Sequence, residues 1–186
     1  SIIQAEPPAL PPELNQRSVR PLIRKTQPAD WQDILDIYAN ARRFMKQSGN
    51  PTQWGDHFPP EDLLREDIRL GHSYVCEVDG RLQAVFAMIP GEDPTYQVIE
   101  GAWLNDAPYC AVHRVASRGE VKGMATQLLE WCLAQAGNIR IDTHDDILHK
   151  QRVLEKNGFT KCGRIWIEDG TPRIAYQKCV GAASCP

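Results

Sequence analysis

The sequence predicts an α/β protein of the α+β kind, with one mixed, mostly antiparallel twisted sheet of about seven strands and helices on both faces. Three observations predict it. Two apolar runs joined by Asp79-Gly80 read as a β-hairpin. Between Tyr109 and Asn157 the pattern alternates strand, helix, strand, helix. The chain then ends on two more strand-like runs around the turn Glu168-Asp169-Gly170-Thr171-Pro172.

Element by element, Leu22 to Lys25 is a short strand. Pro28 suits the first turn of a helix, and Trp31, Ile34, Leu35, Tyr38 and Met45 fall on one face of it. Gly49-Asn50-Pro51 stops that helix, and Pro59-Pro60-Glu61-Asp62 starts a second one carrying Leu63, Leu64, Ile68 and Leu70. Strands follow at Ser73–Val78, Leu82–Ile89, Tyr96–Trp103 and Tyr109–Ala116. A helix from Met124 to Ala136 presents Ala125, Leu128, Leu129, Cys132 and Ala136, and a strand covers Ile139–Thr143. Asp145 or Asp146 caps a helix over about Ile147–Asn157, with Leu148, Gln151, Val153 and Leu154 inward and Gly158 as its C-terminal cap. Cys162–Ile167 and Arg173–Gln177 are the last strands.

The 186 residues are expected to form one domain over 20–178, between a flexible proline-rich leader at 1–19 and a loose tail at 179–186. A net charge of -3 gives no reason to expect nucleic acid or an anionic membrane as partner. No apolar run reaches membrane-helix length, and the start has no basic region followed by an apolar segment, so neither a span nor a secretory signal is expected. None of the six cysteines forms a CxxC pair. Cys76, Cys110 and Cys132 lie in apolar periodic segments and read as buried thiols of a reducing, cytoplasmic compartment, while Cys179 and Cys185 read as exposed and incidental.

Chemistry concentrates in AVHRVASRGEVKGMAT, from Ala111 to Thr126. An apolar strand breaks at Ser117, Gly119 and Gly123 make a turn, and a helix begins at Met124. The first amides of a helix have no partners within it and, with the dipole, attract anions. The glycines can equally serve a tight connection alone. GxGxxG and GKS/T are both absent, so this is neither a dinucleotide fingerprint nor a Walker loop.

The turn Glu120-Val121-Lys122-Gly123-Met124-Ala125, together with Leu154-Glu155-Lys156-Asn157-Gly158-Phe159 two elements later, resembles the GCN5-related N-acetyltransferase (GNAT) family. The order of elements from Leu22 to Gln177 is similar to that family's fold. The chain departs from the pattern in two places. Glu120 stands where the family has Gln or Arg, and is expected to point away from the phosphates. The family's tyrosine, the usual general acid for the departing thiolate, is missing from the late helix.

The resemblance implies acetyl-CoA as co-substrate; no metal is expected, since no tight His/Cys spacing supports one. Its pantetheine arm would pair with the backbone from His113 through Arg114, Val115 and Ala116. Its pyrophosphate would rest on the amides of Val121, Lys122, Gly123, Met124, Ala125 and Thr126. Leu148, Lys150, Gln151 and Leu154 would meet the rest of the cofactor, and Lys122 and Lys150 would attract the phosphates.

The implied reaction is attack of a primary amine of a small molecule, amino acid or peptide on the thioester. Freeing the lone pair of an alkylammonium at pH 7 costs about 4–5 kcal/mol, so a general base helps. The candidates are Glu100 and His113, then His144, beside Asp142. Each has a structural alternative: a solvent-facing Glu100, a satisfied strand histidine at His113, a helix-capping His144, a salt-bridged Asp142. An amide near Val115 would face the oxyanion.

Trp54, Trp103, Tyr109 and Trp166 are candidates for an acceptor pocket, against a core role for each. Asp56 and His57 have no tight metal-ligand spacing with His113 or His144. A homodimer through the final hairpin is a further expectation. A non-catalytic acyl-CoA sensor is the alternative reading.

Overall fold

The computed structural model describes residues 21–49, 54–145 and 148–181. The expected leader, the capping Asp146, Ile147, Asn50-Pro51 and Cys185 lie outside the described residues. The strands are β1 (Leu22–Lys25), β2 (Ser73–Val78), β3 (Arg81–Pro90), β4 (Glu100–Gly101), β5 (Cys110–Ser117), β6 (Asn138–Thr143), β7 (Thr160–Trp166) and β8 (Pro172–Cys179). The helices are α1 (Trp31–Gln47), α2 (Glu61–Arg69), α3 (Met124–Ala136) and α4 (Leu148–Lys156).

All the strands join one sheet of eight, where about seven were expected, in the order β1-β2-β3-β5-β6-β8-β7-β4. Every pairing is antiparallel except β5 with β6.

Side-chain alternation sorts the core onto two faces. Cys76, Ala84 and Phe86 pack with Leu128, Leu129, Cys132, Leu154 and Phe159 of the α3–α4 side. Val75 and Val85 point the other way, onto Ile34, Ile37, Tyr38 and Leu64 of α1 and α2. Each fully buried Leu or Ile contributes about 1.5–3 kcal/mol through burial. The periodic face expected of α1 is present, with Trp31, Leu35 and Met45 packed beside its buried residues. On α3 the inner face is Met124, Leu128, Leu129, Cys132 and Leu133, whereas Ala125 is exposed.

The strand expected over Tyr96–Trp103 shrinks to the two residues of β4. Pro94 starts a 3-10 turn through Tyr96, and Tyr96 is buried with Trp103 and Tyr109 packed around it. Burial of these rings takes the segment off the sheet and over it. What pairing survives depends on two glycines. Gly101 faces Gly163 of β7, and a Cβ on either would overlap the carbonyl oxygen of Cys162 or Glu100.

Cys179 is also corrected: it ends β8 half-buried and disulfide-bonded, not exposed and incidental. Cys76, Cys110, Cys132 and Cys162 are free and fully or partly buried. Among the described residues no helix is long and apolar enough to cross a membrane.

Candidate active site

The site begins with a fault in the ladder between β3 and β5. Val85 pairs with Ala116 and Ala87 with His113, so Phe86 alone faces both Arg114 and Val115. This is a β-bulge on β5, and Arg114 takes a φ of 53° there. A left-handed conformation costs a non-glycine residue about 1–2 kcal/mol. Two anchors hold it. The buried Tyr38 hydroxyl donates to the Arg114 carbonyl at 2.7 Å. The Arg114 guanidinium forks onto both oxygens of buried Asp67, each at 2.8 Å.

The sheet parts just before this bulge. β5 and β6 pair only at Cys110 with Ile139 and Ala111 with Arg140. From Val112 onward β5 has no partner on that side, which leaves a cleft between two parallel strands. Beyond its open end lies the turn from Ser117 to Gly123. Gly123, with φ 74°, caps α3, and the first intrahelical bond runs from Gln127 N to the Gly123 carbonyl at 3.2 Å. The amides of Met124, Ala125 and Thr126 therefore have no partner inside the helix. Nothing lies within 4 Å of where a Cβ on Gly119 or Gly123 would project, and Lys122 is exposed beside them. These amides fit a pyrophosphate.

Glu120 does point away, as expected. Arg81 Nη2 and Nε donate to its carboxylate at 2.8 and 3.0 Å, and Gln83 Nε2 donates at 3.0 Å. The Arg81 bonds hold the Glu120 carboxyl below its ordinary value. Its charge is thus spent on β3.

At the closed end of the cleft, on the face opposite α3, the structure gathers a polar cluster. His113 Nε2 meets Asp93 Oδ2 at 2.6 Å, and its Nδ1 lies 3.8 Å from Asp142 Oδ1. The Tyr96 hydroxyl donates to the same Asp142 oxygen at 2.6 Å. Burial opposes ionisation of Asp93, but bonds from His113 and Thr95 outweigh it and bring its carboxyl down to about 2. An ionised Asp93 accepts, so Nε2 of His113 donates and Nδ1 keeps a lone pair in the neutral ring. At 3.8 Å that nitrogen is beyond hydrogen-bond reach of Asp142 and is open to an incoming proton. Burial, reinforced by the Asp142 charge, pushes the Tyr96 phenol well above its usual range, so it remains a donor.

The other sequence candidates scatter. Glu100 is exposed on edge strand β4, separated from β6 by β7 and β8. His144 is half-buried in the β6–α4 connection and is partnered there. Gln151 spends its amide on the carbonyls of His144 and Asp145, at 3.5 and 3.0 Å. The Arg114 side chain faces α2, Ala116 is buried against α1, and Val115 packs with the α3–α4 side. Thr126 accepts a bond from Asn157 at 3.1 Å, and Leu148 opens α4. Lys150 Nζ lies 5.8 Å from the ring centre of Trp54 instead of over the turn.

The aromatic candidates separate too. Trp54 is buried against Tyr38, with Phe58 beside it. Trp103 and Tyr109 both stack on the Arg140 guanidinium, at 4.2 and 4.1 Å. Trp166 is exposed on β7. Among the described residues no group of three His, Cys, Asp or Glu side chains is placed to hold a metal ion.

Asp93 and Tyr96 are absent from the sequence candidates. The available signal was Asp93-Pro94-Thr95, an aspartate poised to cap a turn, whose carboxylate accepts from Thr95 N at 2.9 Å.

No family model and no curated protein matches the chain in sequence. Solved structures do match. A GNAT-family acetyltransferase from Streptococcus agalactiae is similar at a TM-score of 0.80 and 29% identity, covering 88% of this chain and 99% of its own. A GNAT-family acetyltransferase from Listeria monocytogenes is similar at 0.66 and 20% identity, over 86% and 95%. The protein yncA from Salmonella typhimurium, solved with its cofactor acetyl-CoA, is similar at 0.58 and 16% identity, over 87% and 95%.

Proposed function

From the GNAT fold that this chain has, we propose an acetyl-CoA-dependent N-acetyltransferase that acts on a primary amine of a small molecule, amino acid or peptide. The observation that carries it is the His113–Asp93 pair at the point where β5 leaves β6. The non-catalytic sensor accounts for the phosphate cradle and the cleft but leaves that pair without a task.

The residues divide the work. The amides from Val121 to Thr126 and Lys122 hold the pyrophosphate, and the open edge of β5 from His113 to Ala116 pairs with the pantetheine arm. When bound, acetyl-CoA supplies the activated acetyl carbonyl. His113 Nδ1 takes the proton of the acceptor ammonium, and Asp93 holds the ring and balances the imidazolium. The Val115 amide, in the bulge opposite Phe86, would face the oxyanion. Asp142, fixed by Tyr96, attracts the ammonium. Glu100 and His144 are assigned no catalytic part.

We place the enzyme in the cytoplasm on the four free thiols among the described residues, Cys76, Cys110, Cys132 and Cys162, with the Cys179 disulfide as the feature against it. A homodimer would form through the β7–β8 hairpin, which sedimentation checks.

The test is release of free thiol from acetyl-CoA with a panel of amines. Turnover is expected in the wild type, falling by roughly 10²- to 10⁴-fold in His113→Asn with cofactor binding kept. Stabilisation by acetyl-CoA without turnover on any amine would instead establish the sensor, and no stabilisation at all would remove both readings.

A further inference from the structure

Lys150 begins on one face of the sheet and ends on the other. Its helix, α4, packs with α3: Leu154 shares the cluster of Leu128 and Cys132, and Asn157 bonds to Thr126. Trp54 belongs to the opposite face, in the cluster of Ile34, Ile37 and Tyr38. The Lys150 ammonium nevertheless lies 5.8 Å from the Trp54 ring centre. The side chain therefore reaches across the mouth of the cleft, from the cofactor side to the side of His113.

There it has an aromatic neighbour but no salt bridge to any described carboxylate. Desolvation holds the ammonium below the ordinary lysine value, and Asp142 is the charge that opposes this. Asp142 is itself engaged, with one oxygen accepting from Tyr96 and facing His113 Nδ1 at 3.8 Å. A desolvated cation that forms no salt bridge among the described residues leaves room for an anion from outside.

Resting on the N-acetyltransferase reading, we propose that Lys150 binds the carboxylate of the acceptor, which is a small amino acid with its amine and carboxylate close together. His113 Nδ1 lies 3.8 Å from Asp142, and the Asp142 charge acts on Lys150. A zwitterion spans them, with its ammonium toward Asp142 and His113 and its carboxylate on Lys150 beside Trp54. A diamine or polyamine meets a like charge in the same place.

The panel that tests this holds glycine and β-alanine, their amides, and a diamine. Wild type is expected to show kcat/KM for each amino acid roughly 10- to 100-fold above its amide, the worth of a charge-assisted bond. Lys150→Met should erase that ratio, and Lys150→Glu should turn preference toward the diamine. Thermal unfolding without ligand checks that both variants fold. Independently of turnover, N-acetylglycine should stabilise the wild type and leave Lys150→Met unmoved, while N-methylacetamide stabilises neither. Amides or diamines used as fast as amino acids, or a ratio that survives Lys150→Met, overturns the assignment and leaves the N-acetyltransferase reading standing. Failure to acetylate any amine removes that reading and this one with it.

Discussion

At the scale of single residues, Asp93 sets the state of His113. Its carboxyl is brought down to about 2 in the folded protein, below the ordinary value of 3.8. Ionised Asp93 thus stabilises the fold above about pH 4, and that contribution is lost as pH falls through about 2. Its worth is about 1–2 kcal/mol after allowing for partial exposure. Asp93→Asn should therefore lower stability at pH 7 by that amount and flatten the acid limb of stability between about pH 4 and 2, as read by urea unfolding across pH. An unchanged acid limb would mean that Asp93 is not ionised against His113. His113 was legible in the sequence because it lies on the strand that leads to the glycine turn. Its partner was not, since Asp93 stands 20 residues earlier in a loop whose path is set by burial of Tyr96. Spacing along the chain carries no record of that approach.

At the scale of elements, the bulge on β5 and the start of α3 are separable devices. The first shapes the cleft and the second holds charge. Tyr38→Phe removes the donor to the Arg114 carbonyl and leaves that oxygen unsatisfied, costing about 1–3 kcal/mol in chemical denaturation. The Michaelis constant for acetyl-CoA should rise with it, because the edge that pairs with pantetheine is no longer held. Gly123→Glu should act differently, abolishing acetyl-CoA binding in calorimetry by putting a carboxylate where the phosphate approaches; normal affinity would place the cofactor elsewhere. Both ends of α3 were readable, since glycines flank it and its apolar period is regular. The bulge was not: Arg114 has no local feature that demands a left-handed conformation, and only the contacts from Tyr38 and Asp67, distant in sequence, impose it.

At the scale of the whole molecule, the order of elements was legible because hairpin turns and helix caps are local signals. The extent of β4 was not, since the strand expected over Tyr96–Trp103 is cut to two residues. β4 exists through the close approach of Gly101 and Gly163, two glycines 62 positions apart. Assembly of the sheet also leaves something unusual at its centre. Past Ala111, β5 has no strand paired on its β6 side among the described residues, and the Arg114 carbonyl there accepts from the Tyr38 hydroxyl, so a border lies in the interior of the sheet. Such borders elsewhere recruit strands from other molecules. Here the bulge turns the border aside and acetyl-CoA would cover it, so the cofactor would act as a temporary strand. The cofactor-free protein should then aggregate on heating at a lower temperature than its loss of secondary structure alone would dictate. Saturating acetyl-CoA should raise the onset of light scattering more than it raises the melting temperature.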